Sequence, residues 1–164
     1  MKLTKITAVS IFLLLNLLLT SCGGGGSENA SNFIPVTFKI ESVVKNIAFP
    51  VSIVQSSDGS IFYSELFTGN VRIIRNGILN PVPVATLNVL GSGNEGLLGL
   101  ALDPDFSNNG FLYAYYTASN PPRNVVTRLS IHNDIATDQK IIIDNLPFGG
   151  HDGGRLIFGI DGTL

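Results

Sequence analysis

Three turn glycines, Gly59, Gly110 and Gly162, stand 51 and 52 residues apart in this 164-residue chain. A turn that returns at so steady an interval marks one repeated structural unit, and a period near 50 is the span of a β-propeller blade. The likeness runs on past the turn. Ser60-Ile61-Phe62-Tyr63 follows Gly59, and Phe111-Leu112-Tyr113 follows Gly110. Asp-Gly and Asn-Gly turns occur in any β protein, so the agreement in the following strand is what gives the spacing its weight.

Around these turns the chain reads as meanders of short β-prone runs. Val51 to Gln55, the turn Ser57 to Ser60, and Ile61 to Glu65 make a hairpin; Thr68-Gly69-Asn70 then leads into Val71 to Arg75, which Asn76-Gly77 closes. A second set follows: Leu98 to Leu102, the turn Asp103 to Gly110, Phe111 to Tyr116, and Val125 to Ile131. A third opens with Arg155 to Ile160 and turns at Asp161-Gly162-Thr163. Only 13% of residues are charged, and 18 glycines and 8 prolines punctuate the chain, which suits a turn-rich β protein. The expected class is all-β: a β-propeller represented by about two blades and the start of a third. A propeller closes with about 4 to 8 blades of four strands. Residues 34–164 are therefore expected to be the amino-terminal part of a longer protein, poorly stable alone because an open stack leaves strand edges unpaired.

The first residues bear on compartment. Lys2 and Lys5 precede an apolar run from Ile11 to Leu15 that resumes after Asn16 through Leu19. That is a signal-peptide pattern, and the run is shorter than the roughly 20 apolar residues a spanning helix needs. Leu19-Thr20-Ser21-Cys22 resembles the bacterial lipobox, which implies that the Cys22 sulfur receives a diacylglycerol and becomes the first residue of the mature chain. Residues 1–21 are thus expected to be a lipoprotein signal peptide. Residues 22–33, with Gly23 to Gly26, are expected to be the lipidated cysteine and a flexible tether. The protein is expected in the bacterial cell envelope, anchored to the membrane by lipid on the periplasmic or extracellular side. Cys22 is the only cysteine, so no intramolecular disulfide forms and the core must supply stability. Without residues 1–21, eight basic side chains face twelve acidic ones, a balance of −4 that disfavours nucleic acid as a partner.

Three ordered segments carry a family likeness. They are Ala48-Phe49-Pro50 through Asp58-Gly59; Gly93-Asn94-Glu95-Gly96-Leu97-Leu98-Gly99-Leu100-Ala101 with Asp103-Pro104-Asp105-Phe106; and Leu146-Pro147 through His151-Asp152-Gly153-Gly154-Arg155 and Phe158-Gly159-Ile160-Asp161-Gly162. The chain resembles the glucose/sorbosone dehydrogenase family of soluble sugar dehydrogenases that use pyrroloquinoline quinone (PQQ), whose signatures include G-[EQ]-x-G-L-L-G and H-x-G-G. The resemblance implies a six-bladed propeller that oxidises a small sugar or alcohol with PQQ and calcium. It implies that His151 is the general base, and imidazole does titrate near neutral pH. Taken alone, a single histidine in a glycine-rich loop is more often a solvated turn residue. Gly153 and Gly154 are read as leaving room for a flat cofactor, and Arg155 as facing a cofactor carboxylate, although an arginine at a strand start is more often surface. Asn94 stands where the family has Glu or Gln. It is a candidate substrate-binding amide with a shorter reach, or a loop-tip residue serving its turn. The family's remaining PQQ clamps and most of its calcium ligands come from later blades, beyond Leu164.

No metal-ligating set is read from the residues themselves. Asp103, Asp105, Asn108 and Asn109 miss the EF-hand spacing and suit a turn stiffened by Pro104. His132 has no second histidine or cysteine near it in sequence. Two other functional classes stay open beside the dehydrogenase. One is a non-catalytic propeller lipoprotein that binds glycans or a protein partner, for which Asn94 is the best support; the other is a truncated, inactive product.

Overall fold

The computed structural model describes residues 38–164. The expected signal peptide, Cys22 and the glycine-rich tether therefore lie outside the described residues. Strands β1 (Pro50–Gln55), β2 (Ile61–Glu65), β3 (Asn70–Arg75) and β4 (Ile78–Leu79) form one sheet in that order, and β5 (Ala85–Thr86) also pairs with β3. Strands β6 (Leu97–Leu102), β7 (Phe111–Ser119), β8 (Pro122–His132) and β9 (Ile135–Leu146) form the second, again in chain order. Every pairing is antiparallel, as short turns between neighbouring strands require. These are two propeller blades.

One core holds them together. Phe62, Val71, Ile73, Val84 and Leu87 from the first blade meet Leu97, Leu100, Leu112, Tyr116, Val125 and Leu129 from the second, all buried. Phe106, from the one-turn helix α1 (Phe106–Asn109), packs edge-on to Phe62 at 5.4 Å between ring centres. Hydrogen bonds cross between the blades as well. Leu100 N donates to Ser52 Oγ at 3.0 Å, joining β1 to β6, and Leu97 N donates to Leu66 O at 2.9 Å.

The third repeat keeps its turn but not its strand. At the first turn Ser56 N donates to Ser60 O, Gly59 N to Ser56 O, and Ser60 N to Asp58 Oδ1, all at 2.9 Å. The same three bonds return as Gly159 N to Thr163 O at 2.8 Å, Gly162 N to Gly159 O at 3.0 Å, and Thr163 N to Asp161 Oδ1 at 3.1 Å. Gly59, Gly110 and Gly162 all have positive φ, of 84°, 66° and 79°, the region that favours glycine. Residues 155–160, expected as a strand, join no sheet. A strand needs a partner for its amides and carbonyls, and a turn is closed by local bonds alone. Exposed and half-buried positions still alternate from His151 to Phe158, the period of a strand.

Strand β9 carries no strand signal in its sequence. Its residues show no alternation, and Ile141, Ile142 and Ile143 are all exposed on this edge strand. The available signal was Asn133-Asp134: both have positive φ (51° and 64°) and His132 pairs with Ile135, a two-residue hairpin turn. The Asp103 to Gly110 turn contains α1, which Gly110 ends by donating its N–H to Phe106 O. There Asp103 Oδ1 accepts from Asp105 N and Asn109 Nδ2, so the acidic cluster spends its oxygens on the turn.

An arginine ties the outer parts of the blades. Arg75 donates to Asp134 in the β8–β9 turn, and through Nη1 to Asp58 Oδ2 and Ser60 Oγ, each at 2.7 Å. The Asp58 carboxyl is held well below the usual carboxylate range, first by the Ser56 hydroxyl, then by the Ser60 N–H and Arg75. Because the folded pKa is the lower one, this stabilisation is complete above the ordinary value of about 3.9 and is lost as pH falls through the folded value. Asp58→Asn should therefore lower Tm by a constant, small amount above about pH 5, with the gap closing below about pH 4. A gap unchanged in strong acid would show that the clamp does not work through this charge.

Candidate functional site

Two loops meet at the start of the inner strands. The first, between β5 and β6, carries Asn94 and is bent tightly: Glu95 N donates to Ser92 O at 3.0 Å, and a Cβ on Gly96 would lie 2.1 Å from Leu66 O. The second follows β9 and carries His151. Its root is fixed by Asn124, which is fully buried. Asn124 Nδ2 donates to Pro147 O at 2.9 Å, and its Oδ1 accepts from Thr117 Oγ1 at 2.7 Å. Farther along, Gly149 N donates to Asp152 Oδ1 at 3.0 Å and His151 N donates to Gly149 O at 3.2 Å. Asn124→Leu would leave the Thr117 hydroxyl and the Pro147 carbonyl without their partner in a buried place. It is expected to cost about 2 kcal/mol in urea denaturation of the full-length protein; an unchanged midpoint would show that the loop root is held elsewhere.

The loops are joined by one side chain. Asn94 Nδ2 donates to Gly150 O at 2.9 Å and lies 3.2 Å from His151 Nδ1. Two candidates read separately from sequence thus sit together, 57 residues apart in the chain. Beside them is a shallow depression of about 340 Å³, lined by Val51, Leu66, Asn94, Leu98, His151, Asp152 and Gly153. It adjoins a second, of about 500 Å³, lined by Ser52, Ile53, Leu100, Arg155 and Leu156 and sharing Val51, Leu98 and Gly153 with the first. Along this segment His151, Gly153 and Arg155 are exposed, and Asp152, Gly154 and Leu156 are half-buried.

The two glycines of the pair therefore differ. A Cβ on Gly153 would meet nothing within 4 Å, so the surface between His151 and Arg155 is low and open. Gly154 backs onto the blade instead: its Cβ would lie 2.4 Å from the Tyr115 ring, and its carbonyl oxygen would lie 1.8 Å from a Cβ on Gly99. Gly99 and Tyr115 seat this segment and were missed from the sequence. The signal for Gly99 was a glycine inside the apolar strand Leu97–Leu102, which marks a bulge or a close backbone approach; the register does shift between Leu97 and Gly99. Burial, and then the charge of Asp152, push the Tyr115 phenol above its usual pKa, so it stays neutral.

A larger cleft of about 690 Å³ lies at the other end of β1, lined by Asp58, Arg75, Asn108, His132 and Asp134 among others. Its arginine is spent on its two aspartates, whereas Arg155 makes no hydrogen bond or ion pair with a described residue. The open, sequence-flagged face at His151 is the better candidate.

Residues 47–164 match the family described as Glucose / Sorbosone dehydrogenase. The chain belongs to this family. Both loops and the His151–Arg155 segment fall within the match. Among curated relatives, an uncharacterised protein of Synechocystis is 28% identical over 165 residues, covering 88% of this chain and 40% of that protein. Human Hedgehog-interacting protein is 30% identical over 149 residues, covering 77% of this chain and 21% of that one. A Thermus thermophilus structure described as a putative oxidoreductase (glucose dehydrogenase) superposes with a TM-score of 0.68 at 35% identity, over 74% of this chain and 38% of its own. The PQQ-bound aldose sugar dehydrogenase of Streptomyces coelicolor gives 0.69 at 23% identity, over 75% of this chain and 38% of its own, a likeness of fold. The chain thus spans about 40% or less of the length of these relatives.

Proposed function

We propose that this segment forms one wall of a sugar- or alcohol-oxidising site, working with PQQ in the full-length protein and with His151 as its base. The observation that carries this reading is the contact of Asn94 with His151 beside two adjoining depressions that share Gly153, one lined by His151 and the other by Arg155. The residues suit the cofactor on that side. Gly153 leaves the surface open to a flat ring system, and the exposed Arg155 offers a planar, permanently charged fork for a carboxylate. PQQ, when bound, supplies the two-electron acceptor. His151 takes the hydroxyl proton as the carbinol carbon is oxidised, and Arg155 and the Gly153 backbone position the ring system. Calcium is different. Among the described residues no group of three His, Cys, Asp or Glu is placed to hold a metal, and no step is routed through calcium.

The test is direct. Full-length apoprotein given PQQ and calcium should reduce an artificial dye with a panel of aldoses and simple alcohols, and not without PQQ. No PQQ-dependent reduction with any of them would sink the proposal. A second reading, a non-catalytic propeller that binds glycans or a protein, is favoured by Asn94: it stands where the family has Glu or Gln, and its amide is spent on Gly150 and His151. That reading predicts glycan or partner binding indifferent to PQQ.

The same proposal places the enzyme in the bacterial cell envelope, held by lipid on Cys22. Its support is the charged, apolar leader ending in Leu19-Thr20-Ser21-Cys22. Mass spectrometry of the mature protein should find a diacylglyceryl cysteine at its amino terminus, and Cys22→Ser should abolish both the modification and membrane retention. An unmodified, processed chain in the wild type would refute the anchor.

A further inference from the structure

We propose that Asn94 is a positioning residue that sets the tautomer of His151, holding Nδ1 as a hydrogen-bond acceptor and leaving the hydrogen on Nε2. The inference rests on His151 being the base, and it specifies how that base is controlled. The Gly150 carbonyl can only accept a hydrogen bond, so the end of the Asn94 amide facing it, at 2.9 Å, must be the NH2 group. That same nitrogen lies 3.2 Å from His151 Nδ1. An NH2 group only donates, so in the neutral ring Nδ1 carries the lone pair and Nε2 carries the hydrogen. No neighbour competes for this role. The adjacent acid, Asp152, is occupied by Gly149 N, and Nε2 makes no hydrogen bond to any described residue.

The consequence for chemistry is specific. In this arrangement the free nitrogen, Nε2, is an N–H donor and has no lone pair for a substrate proton, while the lone pair on Nδ1 is covered by Asn94. Proton abstraction at Nε2 requires the hydrogen to move to Nδ1. That requires the Asn94 amide to turn over, presenting Oδ1 to Nδ1–H and giving up its bond to Gly150 O. A carboxylate at position 94 accepts only, so it favours the opposite tautomer.

The tautomer can be read by nitrogen NMR of the full-length protein labelled with 15N-histidine, at alkaline pH. The His151 signals are assigned by their loss in His151→Gln. In the wild type, Nδ1 is expected to show the downfield shift of a lone-pair nitrogen and Nε2 the upfield shift of an N–H. In Asn94→Asp the two shifts should exchange, and His132 should keep its own pattern in both. Nδ1 protonated in the wild type, or no exchange in Asn94→Asp with the fold intact by circular dichroism, would overturn the proposal. Neither measurement depends on turnover. A correct tautomer without PQQ-dependent oxidation would fault the dehydrogenase reading alone; oxidation with the wrong tautomer would fault only the role of Asn94.

Discussion

His151→Ala in the full-length, PQQ-loaded protein is expected to lower kcat by roughly 10²- to 10⁴-fold, the usual contribution of a positioned general base. Stability should change by no more than about 0.5 kcal/mol, because the side chain is exposed and its ring is bonded only to Asn94 among the described residues. Stopped-flow reduction of the bound quinone, beside urea denaturation of the same preparation, separates the two effects. A variant that folds normally and oxidises sugar at the wild-type rate would remove His151 from the mechanism and leave the open face without a base.

Gly99→Ala should give the largest structural effect, about 3 kcal/mol of destabilisation, together with loss of activity. The added Cβ would lie 1.8 Å from the Gly154 carbonyl oxygen, and both partners are backbone. Nothing flexible can yield there. Either β6 moves away from the core that Leu97 and Leu100 anchor, or the His151–Arg155 segment lifts from the blade. Gly153→Ala is the control one residue away. Its Cβ would enter open space, so its stability should match the wild type within about 0.5 kcal/mol, and the change should appear in the affinity for PQQ. Equal stability losses in the two variants would mean that the close approach at Gly99 does not hold the segment.

Much of the scaffold was legible because turn chemistry is local. Asp58-Gly59 and Asp161-Gly162 close the same turn, with the same three hydrogen bonds, whether or not the flanking residues are paired. The inner strands Pro50–Gln55 and Leu97–Leu102 were visible as apolar runs between such turns. Strand β9 was hidden because an exposed edge strand is under little pressure to alternate. Residues 155–160 differ for the opposite reason: they have the composition and alternation of a strand but pair with no strand among the described residues.

At the site, sequence alone determined the residue types: His151, Arg155 and the glycines of one loop, and the departure at Asn94. Local spacing and family signatures carry that much. Only the tertiary structure decided that the Asn94 amide closes on His151 across 57 residues, that Gly153 is open while Gly154 is a packing contact against Tyr115, and that Gly99 makes room for the Gly154 carbonyl. The physical reason is that those relations are distances between separate stretches of chain, fixed by the stacking of two blades on one core, and no pattern within either stretch encodes them.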